Sequence, residues 1–96
     1  MFDKSYFEKE FPKQLEKFKK ESKSNDVKVV FVCGHNHILV TEIAEIKDAW
    51  VSVWVHDGEY KVGGRSPVLM LTQYDQIRQI FFYPLKGEHA LGFRTK

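Results

Sequence analysis

The stretch that decides the fold is VKVVFVCGHNHILV, residues 27–40, in which two apolar runs flank a short polar segment. The first run is rich in β-branched residues and places apolar side chains on both faces of an extended chain, which is typical of a central strand. Gly34 and Asn36 are residues that tight turns favour. We therefore predict a β-hairpin whose turn lies within CGHNH, residues 33–37.

The same turn contains three residue types that bind metals, namely Cys33, His35 and His37. A closed zinc site needs four ligands, and the spacing of His56 and His89 is not one that zinc modules use. A cysteine nucleophile activated by histidine would need a group that orients the histidine and an oxyanion hole, and neither is visible in the sequence. We therefore predict no metal site, no cofactor and no enzymatic activity.

The residues after the hairpin continue with the period of strands. Apolar residues alternate from Leu39 to Ile43, but the next one, Ile46, is three positions on, and such a slip predicts a β-bulge and a strongly curved second strand. Residues 49–56, AWVSVWVH, predict a third strand that is apolar on both faces.

The remaining pattern predicts two more strands. The segment DGEYKVGGRS, residues 57–66, contains two turn signals and predicts a long polar hairpin. It is followed by two short apolar runs, Val68 to Leu71 and one that starts at Ile77, on either side of the polar Thr72 to Gln76. We predict two short strands that meet at a tight turn.

The N-terminal segment has helical character. One stripe is apolar and consists of Phe7, Phe11, Leu15 and Phe18. A second stripe is basic and consists of Lys13, Lys17 and Lys20. Because proline is tolerated only in the first turn of a helix, Pro12 predicts a short turn near residues 3–10 and a main helix over 12–22. Ser5 and Glu8 have the spacing of a capping box.

The length of the chain and the order of its predicted helix and strands together indicate the fold class. A chain of 96 residues, 43% of them hydrophobic, suffices for one core, so we predict a single domain over 1–96 with a short tail at 85–96. The class is mainly β: an N-terminal α-helix is followed by a five-stranded, strongly bent antiparallel barrel over about 27–84. A barrel is expected because closure removes the edges of a small twisted sheet.

Charge and targeting signals narrow the class of protein. The formal net charge is only +2, and residues 1–25 carry seven lysines against five acidic residues, so the basic excess lies in the N-terminal segment. The single cysteine excludes an internal disulfide, and neither a secretory leader nor a membrane-spanning run is visible. We expect a soluble, cytoplasmic protein that makes no membrane contact.

The pattern from the helix through VKVVFVCG, TEIAEIKDAWVSV and YDQIRQIFFYP resembles the Sm-like family, which includes the Lsm and Hfq proteins, over about residues 12–84. Cys33-Gly34 matches the end of the family's first strand. Asp48 and Trp50 match an Asp that is followed two residues later by a large apolar residue. The run Ile77 to Ile80 matches the last motif. The resemblance implies an Sm-like or SH3-like barrel that assembles into homo-oligomeric rings of about five to seven subunits.

The resemblance also implies a ligand, single-stranded RNA, as for an RNA chaperone. We expect Trp50 and Tyr74 to stack on bases and Asp48 and Gln76 to hydrogen-bond to base edges. The helix lysines Lys13, Lys17 and Lys20 would contact phosphate. Where Hfq proteins carry a Lys-His pair in the last turn, this chain has Tyr74-Asp75. The alternative hypothesis is therefore a barrel that serves as a protein-interaction or assembly module without RNA.

Overall fold

The computed structural model describes residues 2–24, 26–56, 68–85 and 93. In these residues a helical segment precedes five antiparallel strands. A π-helical turn, Tyr6–Glu10, leads into helix α1, Phe11–Ser22. The strands are β1 (Val27–Cys33), β2 (Asn36–Ile46), β3 (Trp50–His56), β4 (Val68–Gln73) and β5 (Ile77–Pro84), and a 3-10 turn, Tyr74–Gln76, joins the last two.

The strands form one sheet in the order β4-β3-β2-β1-β5. The predicted class, mainly β with an N-terminal helix and five antiparallel strands, is confirmed, and β1 is central as predicted. The sheet itself is not closed: in the part of the chain that the structure describes, no hydrogen bonds pair β4 with β5, so both remain edges. The expected hairpin at 57–66 and most of the tail lie outside the described residues.

The hairpin between β1 and β2 turns through Gly34 and His35, and Cys33 pairs with Asn36. Gly34 has a φ of 64°, whereas His35 has a negative φ, which is the pattern of a type II′ turn with glycine at its first central position. The predicted turn is thus confirmed. Asn36 is already the first residue of β2.

The bend of β2 comes from two irregularities in its pairing with β3. The register shifts between Val40 and Glu42 and again between Ile43 and Glu45. An extra residue on one strand increases local twist and bends it, so the β-bulge predicted from the slip between Ile43 and Ile46 is confirmed.

The helical segment begins earlier than predicted, at Lys4, and continues into α1 without a break. The N–H of Phe11 donates to the carbonyl of Tyr6, five residues earlier, and Pro12, which lacks an N–H, follows in the first turn of α1. Ser5 makes no capping hydrogen bond; the carboxylate of Asp3 instead accepts from the N–H of Tyr6 at 2.8 Å. Ser5 therefore does not form the capping box that its spacing from Glu8 would allow.

The core lies between α1 and one face of the sheet. The predicted apolar stripe of the helix is buried there, with Phe18 half-buried at the margin. The helix and sheet side chains of this core include Phe7, Phe11, Leu15, Val27, Val29, Phe31, Val40, Val51 and Val53. We call the opposite side of the sheet, which carries Trp50, Ser52 and Trp54, its outer face.

Candidate nucleic-acid interface

Two turns meet at one end of the sheet and position most of the predicted site. The β2–β3 connection is held by the N–H of Lys47, which donates to the carbonyl of Trp50 at 2.9 Å. The Tyr74 hydroxyl, in the 3-10 turn, donates to the carbonyl of Lys47. We call these residues, 47–50 and 74–76, the turn end. The predicted residues Asp48, Trp50, Tyr74 and Gln76 all belong to it.

Tyr74 is a core residue of the turn end. The residue is 6% exposed and its ring is stacked on that of Phe7, with centroids 5.7 Å apart. Burial raises the pKa of its hydroxyl. A buried ring offers no face to a base, so the stacking position predicted for Tyr74 does not fit this structure. The reason is that the aromatic N-terminal segment covers the turn, which strand patterns alone do not reveal.

Asp48 lies at the surface, with 94% of its side chain exposed. The Lys4 ammonium contacts its carboxylate at 3.2 Å, and this hydrogen bond and charge raise the pKa of Lys4. An exposed ion pair contributes little to stability. The pair nevertheless places a cation at the turn end. Sequence reasoning missed Lys4 because 44 positions separate the partners.

Trp50 remains the aromatic residue of the turn end that is partly open to solvent. It lies opposite Gln73 of β4, on the outer face. Ser52, the next residue on that face, is 2% exposed, and its hydroxyl has no hydrogen-bond partner among the described residues. Gln76 is exposed, and its amide lies 3.5 Å from a carboxylate oxygen of Asp75. Partly exposed Trp50, Asp48 and Gln76 can therefore all be reached from solvent.

The helix lysines form a separate patch. Lys13, Lys17 and Lys20 are exposed and line one shallow depression together with Pro12 and Glu16. Glu16 pairs with Lys19 at 3.7 Å. Lys4 marks the turn end, and at 1.5 Å per residue Lys13 and Lys20 lie roughly 14 and 24 Å further along the helix. The predicted phosphate contacts are thus distant from the predicted base contacts.

The turn histidines, His35 and His37, are exposed. Within residues 2–24, 26–56, 68–85 and 93, no group of three His, Cys, Asp or Glu side chains is placed to hold a metal ion. The Cys33 thiol is half-buried, and burial raises its pKa. A raised pKa disfavours the thiolate, which is the reactive form.

Sequence reasoning missed the exposed apolar side chains of the edge strands. In the described part of the chain, the large hydrophobic residues that are exposed all belong to β4 or β5: Val68, Leu69, Leu71, Phe81 and Tyr83. Residues 68–71 and 80–83 are apolar at every position, so periodicity could not indicate which of these side chains face solvent. Within the same residues, no helix has the length and hydropathy of a membrane span.

Comparison with known proteins adds no relative: no protein-family model, curated protein or solved structure matches this chain.

Proposed function

We propose that this protein is an Sm-like, ring-forming homo-oligomer that binds single-stranded RNA. The observation that supports assembly is the position of the exposed apolar residues. Both edge strands carry them, and an edge strand has unpaired backbone N–H and C=O groups that can hydrogen-bond to a strand of another chain. Pairing of β4 in one copy with β5 in the next would satisfy those groups.

Side-chain register supports the same pairing. Leu69 and Leu71 lie opposite Trp54 and Ser52, so they belong to the outer face of β4. Phe81 lies opposite Val30 of β1, and Val30 pairs with Leu39 of β2. Leu39 pairs with His56, which lies on the outer face of β3, so Phe81 belongs to the outer face as well. Both edges therefore expose apolar side chains on one face, and joining them would bury these side chains together. The strongly bent barrel predicted from the sequence is part of this proposal, with its two edges covered by strands of neighbouring copies rather than by closure within one chain.

RNA is proposed to bind at the turn end and along the helix. Trp50 would stack on a base, and Asp48 and Gln76 would hydrogen-bond to base edges. Lys13, Lys17 and Lys20 would contact phosphates. A ring repeats each weak contact about five to seven times, so its avidity would exceed that of one subunit.

A second candidate is an assembly module that does not bind RNA. It is favoured by the burial of Tyr74 and by the two carboxylates of the turn end, Asp48 and Asp75, which repel phosphate. This candidate assembles through the same edge strands, and it differs from the first candidate only in that it does not bind RNA.

The mass of the native protein tests assembly. We expect a particle of about five to seven subunits by native mass spectrometry, in agreement with light scattering. A monomer at micromolar concentration would contradict both candidates.

Binding of oligo-U and oligo-A RNA at low salt then separates the two candidates. We expect an affinity that falls steeply with salt and is lost in Trp50→Ala or in Lys17→Ala combined with Lys20→Ala. Trp54→Ala is the matched control, because Trp54 lies on the same strand and face but away from the turn end. If the assembled protein binds neither oligonucleotide, the RNA proposal is abandoned for the assembly module.

A further inference from the structure

A buried hydroxyl lies on the outer face of β3, next to Trp50. Ser52 is 2% exposed, and its Oγ is shielded from solvent and has no hydrogen-bond partner among the described residues. Because Ser52 follows Trp50 by two residues, both side chains project from the same face of the strand. A buried polar group without a partner costs free energy, since it has lost its hydrogen bonds to water. The fold itself therefore gives no reason for a hydroxyl at this position.

Thr72, the other buried polar side chain of the described residues, has partners where Ser52 has none. Its hydroxyl donates to the carbonyl of Gln73 at 3.4 Å and hydrogen-bonds with the Cys33 thiol. Hydrogen bonds within the folded protein offset the cost of burying a hydroxyl. Contacts within the chain thus account for Thr72, whereas they do not account for Ser52.

The neighbours of Ser52 on the outer face explain why it is buried. Glu45 of β2 and Leu71 of β4 lie opposite it, and Trp50 and Trp54 flank it on β3. All four side chains are larger than that of serine, so together they cover it. The Glu45 carboxylate is paired with a lysine ammonium at 3.1 Å. Trp50 is partly open to solvent and belongs to the turn end, so a ligand reaches this part of the cover first.

We propose that Ser52 hydrogen-bonds to the edge of the base that stacks on Trp50, and that the base replaces part of the cover over the hydroxyl. This inference rests on the proposed RNA-binding function and adds a residue to its site. Residues two apart on a strand are roughly 6–7 Å apart, and a stacked ring lies about 3.5–4 Å from the indole. The base therefore stands above Ser52. A serine hydroxyl both donates and accepts, so it can pair with the edge of any base.

The contact is with an uncharged group, so it does not require a basic surface. Phosphates remain with the helix lysines, as in the proposed function. The contact is also compatible with assembly through the edge strands. Trp50 lies opposite Gln73, which is not one of the exposed apolar residues of β4 that edge pairing would bury. β3 itself is an interior strand, paired with β2 and β4.

Binding of short oligonucleotides to the full-length protein tests this contact. Oligo-U and oligo-A that reach only one subunit are titrated at low salt, so that avidity does not alter the size of the effect. We expect Ser52→Ala to weaken the binding of at least one of them roughly 2- to 10-fold, which corresponds to one lost hydrogen bond. An abasic oligonucleotide of the same length keeps the phosphates but lacks base edges, so it should bind to the wild type and to Ser52→Ala equally.

Urea unfolding without RNA tests the hydroxyl independently of the ligand. Ser52→Ala removes a buried polar group that has no partner, so its unfolding midpoint should equal or exceed that of the wild type. Thr72→Val is the matched control: it removes a hydroxyl that has partners, and it should lower the midpoint while oligonucleotide affinity stays unchanged. If the midpoint of Ser52→Ala falls as far as that of Thr72→Val, the inference is overturned, because the hydroxyl then serves the fold.

The outcomes separate this inference from the proposed function. If Trp50→Ala abolishes binding but Ser52→Ala binds both oligonucleotides as tightly as the wild type does, the inference is overturned and the Trp50 site stands. An equal loss of affinity for the abasic oligonucleotide also overturns it, because the effect would not come from a base. If the wild type binds neither oligo-U nor oligo-A, the RNA proposal fails and this inference fails with it.

Discussion

Two single residues, Gly34 and Tyr74, stabilise turns of the sheet by different means. Gly34 supplies a left-handed backbone conformation to the β1–β2 turn, and Tyr74 ties the 3-10 turn to the β2–β3 connection. Gly34 could be recognised from the sequence because turn chemistry is local. The role of Tyr74 could not, because its two partners, Phe7 and Lys47, lie far from it along the chain.

Replacing Gly34 should cost stability through backbone strain alone. No atom lies within 4 Å of where a Cβ would stand, but the φ of 64° disfavours L side chains. We expect Gly34→Val to lower the free energy of unfolding by about 1–2 kcal/mol in urea titrations. Gly34→Asn should cost less than about 1 kcal/mol, because asparagine tolerates this conformation. Equal losses in the two variants would mean that strain is not the cause.

The Tyr74 hydroxyl should make stability depend on alkaline pH. Burial raises its pKa above the ordinary value of 10.0, so the folded state retains this proton more strongly than the unfolded state does. The resulting stabilisation is complete below about pH 10 and is lost as the pH rises through the folded-state pKa.

Tyr74→Phe isolates this effect. Loss of the hydrogen bond to Lys47 should lower the free energy of unfolding by about 1 kcal/mol at pH 7. Above about pH 10, the variant should lose stability less steeply than the wild type, because one ionisation that opposes folding has been removed. Tyr83→Phe, which removes an exposed hydroxyl, is the control. Parallel curves for Tyr74→Phe and the wild type would contradict the role given to Tyr74.

At the scale of elements, α1 and the sheet are each amphipathic and cover one another. The helix was predicted from the spacing of its apolar stripe, and the bulge in β2 from a slip of the strand period. The start of the helix was missed because the π-helical turn allows the chain to remain helical up to Pro12. The expected break at the proline was inferred from the local sequence alone. Here the aromatic side chains of the N-terminal segment pack against the core, which favours a continuous helical segment.

The stability of the helix should depend on its buried stripe. Leu15 is 1% exposed, and Leu15→Ala should lower the free energy of unfolding by about 2–5 kcal/mol, through lost apolar contact and the cavity that remains. Lys13→Ala, on the exposed stripe of the same helix, should change it by less than about 0.5 kcal/mol. Thermal or urea unfolding measures both, and similar losses would mean that α1 is not anchored by this stripe.

At the scale of the whole molecule, the unclosed sheet has two edges that expose apolar residues on one face. Leu71, on β4, is the most exposed of them at 60%. A lysine on an edge strand is a common means of preventing association between sheets, since pairing would desolvate its charge.

Leu71→Lys should therefore separate assembly from folding. We expect the native mass to fall towards that of a monomer, while the free energy of unfolding measured on dilute protein changes by less than about 0.5 kcal/mol. Ser5→Lys, which adds the same charge at an exposed position of the helical segment, should leave the mass unchanged. An intact particle in Leu71→Lys would show that the β4 edge is not a subunit contact.

The sequence by itself determined the class of the fold, the hairpin turn at Gly34, the curvature of β2 and the buried stripe of the helix. Each depends on the period of neighbouring residues or on the backbone preference of one residue, and both are local. Only the tertiary structure decided that Tyr74 is buried, that Lys4 pairs with Asp48 and that Phe81 and Tyr83 face solvent beside Lys28. These depend on contacts between residues distant in the chain, and in continuous apolar runs such contacts alone determine which face is covered.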